Sequence, residues 1–193
     1  MYLVERLAAR LERRAWSVAV AESCTGGLLA ATLVAHPNTS TWFERGFVVY
    51  SNDSKCELLG IERPEVESCD GVGETIARYM ARAAWVASRA DLSVAITGFA
   101  GPRQSDEEVG LLHIAAATKA STHHAVHHLG DIGREAISRR AVDLALAMLI
   151  AATMDERPVS VSAEVVWPAR VAELRWHDSP GNHSSCEPLR SQL

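Results

Sequence analysis

An apolar strand that gives way abruptly to a glycine-rich turn most constrains how this chain can fold. The run Val18-Ala-Val-Ala stops at Glu22-Ser23, and Thr25-Gly26-Gly27 leads into a helical pattern. The N–H groups that open a helix lack intrahelical partners and carry partial positive charge, so such a turn can hold a phosphate or an oxyanion. The alternative is an ordinary strand-to-helix connection in which Ser23 or Thr25 is the N-cap.

The rest of the chain alternates between strand and helix patterns. Helical spacing predicts helices at about 2–14, 25–35, 74–89 and 134–153, and a short one capped by Asn52 or Asp53. Apolar or alternating runs predict strands at about 16–21, 46–51, 92–97, 111–118 and 123–129, the last two as a hairpin. Strands interleaved with helices predict a layered α/β domain.

Composition places the chain among globular proteins. Its 193 residues are 22% charged and 48% hydrophobic, and no uncharged apolar run approaches the ~20 residues of a membrane span. The first fourteen residues carry charges throughout, unlike a signal peptide. We therefore expect one main domain in a cytoplasmic protein without a membrane partner.

Charge and cysteine usage exclude several classes of partner. A net charge of −5 gives no general attraction to nucleic acid, so we expect no nucleic-acid partner. The four cysteines form no C-x-x-C pair, and a strand at 123–129 places His124 and His128 on one face and His123 and His127 on the other. We therefore predict neither a disulfide framework nor a metal site.

Four sequence blocks together resemble the CinA C-terminal domain family, whose members include nicotinamide mononucleotide deamidases. The first is Ala21-Glu-Ser-Cys-Thr-Gly-Gly, and the second runs from Trp42 through Tyr50-Ser-Asn to Lys55. The third is Thr97-Gly-Phe-Ala-Gly-Pro with Val109-Gly, and the last is Gly130-Asp followed by Arg134 and Arg139. They occur in family order over about residues 5–152.

The resemblance implies a fold, an activity and a set of roles. The fold is a three-layer α/β/α sandwich with a mixed sheet, and the activity is deamidation of a small-molecule nucleotide without cofactor or metal, in a homodimer or higher homo-oligomer. Ser23 is implied as the nucleophile, Lys55 as the general base and Tyr50 as an assisting hydroxyl. The implied substrate-binding residues are Thr25, Gly26, Gly27, Asn52, Thr97, Gly98, Ala100, Arg134 and Arg139.

The residue types alone also allow non-catalytic interpretations of several of these positions. A serine needs a neighbour to take its proton, and lysine does so only when desolvation or positive charge lowers its pKa. Without such surroundings Lys55 is a solvated surface lysine, and an arginine such as Arg134 on an amphipathic helix is a surface charge. Cys24 is either a second nucleophile candidate or an incidental thiol.

Two departures from the family set limits on the resemblance. The loop from Gly101 to Gly110 is shorter and less glycine-rich than is usual, which leaves a non-catalytic, nucleotide-binding relative as the alternative function. The family domain covers about residues 1–153, and 154–193 form an additional tail. The tail contains one predicted strand at 159–167 and a polar end from about 178 that we expect to be partly disordered.

Overall fold

The computed structural model describes residues 2–104 and 106–154, and the predicted strand at 159–167 and the polar end of the tail lie outside them. A short 3-10 turn, Thr39–Thr41, precedes the second strand. In chain order the helices and strands are α1 (Tyr2–Arg14), β1 (Val18–Glu22), α2 (Leu28–Val34), β2 (Phe43–Val48), α3 (Asn52–Leu59), α4 (Arg63–Glu67), α5 (Glu74–Val86), β3 (Leu92–Gly98), β4 (Leu111–Thr118), β5 (Thr122–His128) and α6 (Arg134–Ala152).

The five strands form one mixed sheet in the order β2-β1-β3-β4-β5. β1 lies parallel to both of its neighbours, with Ala21 opposite Phe47 of β2 and Ala95 of β3. β4 is antiparallel to β3 and to β5, the predicted hairpin partner. Because three parallel strands lie side by side, their carboxyl ends meet at one edge of the sheet.

Alternating side chains divide the core between the two faces of the sheet. One cluster joins the larger strand residues, such as Val20 and Ile114, to α1, α2 and α6. The other joins Ala21, Ala95 and Ala115 to α3, α4 and α5. Small side chains on this second face let the alanine-rich α5 approach the sheet closely. The three-layer α/β/α sandwich implied by the family resemblance is therefore confirmed.

Backbone conformation and pairing explain where the elements depart from their predicted bounds. α2 begins at Leu28 rather than near 25, because Gly26 and Gly27 have φ of 59° and 99°, which a right-handed helix does not allow. β2 runs earlier than predicted, since Phe43 pairs with Val18, and it therefore ends before Tyr50. The cap of α3 is Ser51, whose hydroxyl accepts from Ser54 N at 3.1 Å, instead of Asn52 or Asp53.

The short helix α4 was not predicted, although its sequence carries a recognisable start signal. Pro64 lies in its first turn, where the missing N–H of proline leaves no hydrogen bond unmade. With only five residues, the helix shows too little periodicity to be read from hydrophobic spacing. In the described ranges, no helix has the length and apolar character needed to cross a lipid bilayer.

Candidate active site

The predicted site residues gather where the three parallel strands end. Ser23 follows β1, Tyr50 follows β2 at two residues' distance, and Phe99 follows β3. Sheet hydrogen bonds continue past β1, since Ser23 N donates to Ile96 O at 3.0 Å and Val49 N donates to Glu22 O at 2.8 Å. The turn after β1 is therefore held from both sides, at the sheet edge where open α/β proteins bind ligands.

The Glu22 carboxylate accepts hydrogen bonds throughout this turn, a role that was not predicted from the sequence. Its carboxylate is fully buried and accepts from the Thr25 hydroxyl at 2.7 Å and from Gly27 N at 3.1 Å. It also accepts from Leu29 N at 3.0 Å and Ala30 N at 2.8 Å. Glu22 thus occupies the amino end of α2 with negative charge, which the unpaired N–H groups and the helix dipole both favour.

The carboxylate of Glu22 also limits what the turn can offer a ligand. Gly27 N is bound to Glu22, and Gly26 N donates to Ser23 O at 3.1 Å. The expected donation from these two glycines to an oxyanion or phosphate is therefore not available in this geometry. The N–H groups that remain in the turn belong to Cys24 and Thr25, directly after Ser23. Ser23 itself is largely buried, at 6% exposure.

Lys55 lies at the base of the site and not on the surface. It is 2% exposed, and its Nζ donates to Tyr50 O at 3.4 Å. Burial lowers the pKa of Lys55, while the Asp70 carboxylate and nearby thiols act in the opposite direction. The Cys24 thiol contributes to the field at Lys55, so the amine lies near the turn that bears Ser23. A buried lysine with a lowered pKa is suited to accept a proton.

Tyr50 and Asn52, from the same sequence block as Lys55, have different surroundings. The Tyr50 side chain points outward, since the residue is 60% exposed, and its backbone carbonyl contacts Lys55. The Asn52 amide donates to Asp70 Oδ1 at 3.3 Å. No hydrogen bond joins Ser23 Oγ to Lys55 Nζ in the part of the chain that the structure describes.

The third sequence block supports the site from within the sheet. Thr97 is fully buried and its hydroxyl donates to Gly71 O at 2.7 Å. A Cβ on Gly98 would lie 2.3 Å from Leu111 O, so this glycine admits the neighbouring strand and not a ligand. Ala100 is 4% exposed and belongs to the apolar core. None of these three side-chain positions projects into open space.

The two arginines implied as ligand contacts lie in different environments. Arg134 begins α6, and its charge lowers the pKa of Cys24, so it lies within electrostatic reach of the Ser23 turn. Arg139 is exposed, and its guanidinium donates to Glu135 Oε1 at 3.0 and 2.9 Å. The structure therefore brings Arg134 toward the site and pairs Arg139 with a surface carboxylate.

Cys24 has the properties of an incidental thiol. Desolvation is the main cause that raises its pKa to about 12, and the charge of Glu22 adds to this effect. Because the thiolate is the nucleophilic form, a thiol with a pKa raised this far is unreactive near neutral pH.

The histidines of β4 and β5 divide between faces as the strand pattern predicts. His113 and His124 stack on the α5 face with ring nitrogens 3.0 Å apart, and His123 and His127 line a groove of about 390 Å³ beside α6. Across residues 2–104 and 106–154, no group of three or more histidine, cysteine or acidic side chains is arranged to hold a metal ion.

The residues missed by sequence reasoning are Glu22, Asp70 and Gly71. A signal for Glu22 was present, because an acidic residue that ends an apolar strand needs buried donors and the start of a helix supplies them. Asp70 and Gly71 belong to a loop far from Lys55 in sequence. Their proximity to Lys55 depends on tertiary structure that no local pattern encodes.

Comparison with known proteins identifies relatives that cover most of the described residues. Residues 2–153 match the model of the CinA C-terminal domain. The chain is 37% identical over 151 residues to the nicotinamide-nucleotide amidohydrolase PncC of Escherichia coli K12, covering 77% of this chain and 92% of that protein. It is 45% identical over 121 residues to a CinA-like protein of Chlorobium limicola, covering 62% of this chain and 28% of that protein.

A solved structure shows the same fold. The competence/damage inducible protein CihA of Agrobacterium tumefaciens superposes with a TM-score of 0.75 at 38% identity, covering 78% of this chain and 93% of that chain. The sequence blocks, the mixed five-stranded sheet and the match over residues 2–153 lead to one conclusion. The chain belongs to the CinA C-terminal domain family.

Proposed function

We propose that this protein is an amidohydrolase that converts nicotinamide mononucleotide to nicotinic acid mononucleotide and ammonia. The observation that carries the proposal is the buried Lys55, with its lowered pKa, beside the turn that bears Ser23. The name of the Escherichia coli relative, which covers most of this chain, supports the same substrate class.

The proposed reaction passes through an acyl-enzyme. Ser23 Oγ attacks the carboxamide carbon while the neutral amine of Lys55 takes the hydroxyl proton. The tetrahedral intermediate then expels ammonia, to which the Lys55 ammonium returns that proton. Water activated by the same amine cleaves the ester, which releases the carboxylate and regenerates Ser23. These steps use only the protein and water, so the mechanism requires no cofactor.

The oxyanion of the tetrahedral intermediate and the phosphate of the substrate are assigned to different parts of the site. Because Glu22 occupies the amino end of α2, we assign the oxyanion to the N–H groups of Cys24 and Thr25. The N–H that follows the nucleophile plays this part in other hydrolases with a strand-turn-helix nucleophile. We assign the phosphate to Arg134, whose charge reaches the turn from the start of α6.

The test is ammonia release from nicotinamide mononucleotide by the purified protein and by Ser23→Ala. We expect the substitution to reduce turnover by roughly 10³-fold or more while the protein stays folded, since it removes one oxygen at a turn. Cys24→Ser is the matched control and should retain activity, because the thiol is un-ionised near neutrality. Near-normal turnover by Ser23→Ala would exclude Ser23 as the nucleophile.

A second candidate is a nucleotide-binding relative that has lost catalysis. It is favoured by the orientation of Lys55, whose Nζ contacts Tyr50 O and makes no hydrogen bond to Ser23 Oγ in the described ranges. Catalytic hydrogen bonds often tighten only when substrate binds, so binding and ammonia release have to be measured together. Calorimetric binding of nicotinamide mononucleotide without any ammonia release would favour the second.

A further inference from the structure

The loop of residues 68–73, between α4 and α5, packs its backbone directly against the amine of Lys55. A Cβ built on Gly71 would lie 2.9 Å from Lys55 Nζ and 2.4 Å from Asn52 Oδ1. Gly71 also has a φ of 68°, in the left-handed region that favours glycine. A side chain at residue 71 would have to displace the ends of the Asn52 and Lys55 side chains, so glycine lets the loop cover Lys55 in its present position.

Two hydrogen bonds hold Gly71 in this position, one at each end of the residue. Gly71 N donates to Val66 O of α4 at 2.8 Å, and Gly71 O accepts from Thr97 Oγ1 of β3 at 2.7 Å. Thr97 is fully buried, so water cannot readily replace its hydroxyl. The bond from Thr97 therefore ties the loop to the end of a central strand.

We propose that Thr97 is a positioning residue, which holds the 68–73 loop over Lys55 and thereby keeps water away from its amine. Its catalytic consequence rests on the proposed function, in which the neutral amine of Lys55 is the base. This role differs from the substrate contact implied by the family resemblance, because the Thr97 hydroxyl is directed at a backbone carbonyl.

The charged surroundings of Lys55 decide the direction of the expected effect. Desolvation is the largest influence and lowers the pKa of Lys55; Asp70, on the covering loop, raises it, as do the thiols of Cys24, Cys56 and Cys69. Several charged groups on the packed helices are paired with one another. Arg63 of α4 pairs with Asp53 and Glu67, and Glu74 of α5 pairs with Arg78.

Displacement of the loop therefore has two opposing consequences. Water would reach the amine, which raises its pKa, and Asp70 would withdraw, which lowers it. Because desolvation is the larger of the two, we expect the pKa of Lys55 to rise when the loop is released.

Three substitutions separate these effects. Thr97→Val keeps the side-chain shape but leaves Gly71 O without its donor, so the pKa of Lys55 should rise. Thr97→Ser restores the hydroxyl and should return the wild-type value. Asp70→Asn removes the opposing charge without moving the loop, so the pKa should fall. Asparagine also tolerates the φ of 50° found at residue 70.

The composition of the chain permits a direct measurement. Lys55 and Lys119 are the only two lysines in the sequence, and Lys119 is exposed in the turn between β4 and β5. Trace acetylation with acetic anhydride over a pH series, read by mass spectrometry of the two lysine peptides, reports each neutral amine separately. Lys119 provides the internal reference in every sample.

We expect the pH midpoint of Lys55 acetylation to be higher than wild type in Thr97→Val and lower in Asp70→Asn. In Thr97→Ser the midpoint should equal that of the wild type. If Thr97→Val does not fold, Gly71→Ala tests the same loop, since its Cβ must displace Asn52 or Lys55. An unchanged midpoint in a folded Thr97→Val or Gly71→Ala protein would overturn the proposal.

The labelling needs no substrate, so its result is independent of the proposed function. A shifted midpoint in a protein that never releases ammonia would support the role of Thr97 and contradict the amidohydrolase activity. Ammonia release with an unshifted midpoint would do the reverse. In an active protein, the alkaline shift of the pH profile of kcat/KM in Thr97→Val should follow the labelling midpoint.

Discussion

The chemical character of Lys55, on α3, depends mainly on its burial. An exposed lysine stays protonated at neutral pH, with a pKa of ~10.4. Lys55 is 2% exposed, and desolvation lowers its pKa despite the nearby Asp70 carboxylate. The residue can therefore be neutral at a pH where most lysines are charged.

This burial gives a pH dependence with a definite sign. Only the neutral amine accepts a proton, so kcat/KM for ammonia release should rise as pH increases through the pKa of Lys55, below the ordinary lysine value. Lys55→Met should remove activity, because a side chain of similar length cannot accept a proton. Lys55→Arg should also fail, since guanidinium remains charged.

The second lysine of the chain supplies the control for these variants. Lys119→Met removes an exposed amine and should leave both turnover and its pH profile unchanged. A profile that is flat from pH 6 to 10 in single-turnover acylation would argue against any titrating base in this step.

At the residue scale, the sequence placed Ser23 and Lys55 in one site, and the structure brings the two residues near each other. Their proximity was predictable because family motifs record residue types at fixed positions, and their catalytic roles stay a prediction. Thr97 was predicted as a substrate contact, yet its hydroxyl donates to Gly71 O. Side-chain direction at the end of a strand depends on which loop packs there, which neither spacing nor composition specifies.

At the scale of elements, the junction of β1 and α2 depends on a single carboxylate. Four donors converge on Glu22, so Glu22→Gln should cost about 1–3 kcal/mol of unfolding free energy, because the amide NH2 that replaces one carboxylate oxygen would face a donor and could not accept from it. For a chain of this size, each kcal/mol corresponds to a Tm loss of about 2–4 °C.

The matched control for Glu22 is an exposed acidic residue on a neighbouring helix. Glu57→Gln on α3 changes the net charge equally and should leave the free energy of unfolding, measured by thermal melting, within about 0.5 kcal/mol of wild type. Equal Tm values for the two variants would show that the carboxylate of Glu22 contributes nothing beyond its shape.

The sequence predicted whether a segment is a helix or a strand more reliably than it predicted where that segment begins and ends. β4 begins and ends at the predicted residues, because a mainly apolar run of strand length, Leu111–Thr118, lies between Gly110 and Lys119. β2 was placed three residues late, since its pairing with β1 sets its start at Phe43. A partner strand is tertiary information, and the sequence of one strand does not contain it.

At the scale of the molecule, the described residues form an apolar core on each face of the sheet. The buried apolar residues run from Val4 to Ala152 and form one cluster on each face of the sheet. Both faces of the central strands are covered by helices, which is the arrangement that parallel strands require. The described residues within 2–154 therefore form the three layers of the α/β/α sandwich.

We expect removal of residues 155–193 to leave ammonia release and Tm close to those of the full chain, as measured by activity assay and thermal melting. A truncation after Leu146 is the control, because it removes Leu149 and Ile150, which are buried. Each such side chain contributes about 1.5–3 kcal/mol when buried. A large loss of Tm in the first truncation would show that the tail is part of the folded unit.

The outer edge of β5, which pairs with no further strand among the described residues, has a consequence that concerns handedness. β5 runs parallel to β1, and α6 covers the same face of the sheet as α2. The chain passes from β1 to β2 in one direction across the sheet, whereas the outer side of β5 lies in the opposite direction. A parallel strand reached through α6 would close a left-handed crossover, whereas about 98% of such connections are right-handed. A sixth strand beside β5 must therefore arrive antiparallel or come from another molecule.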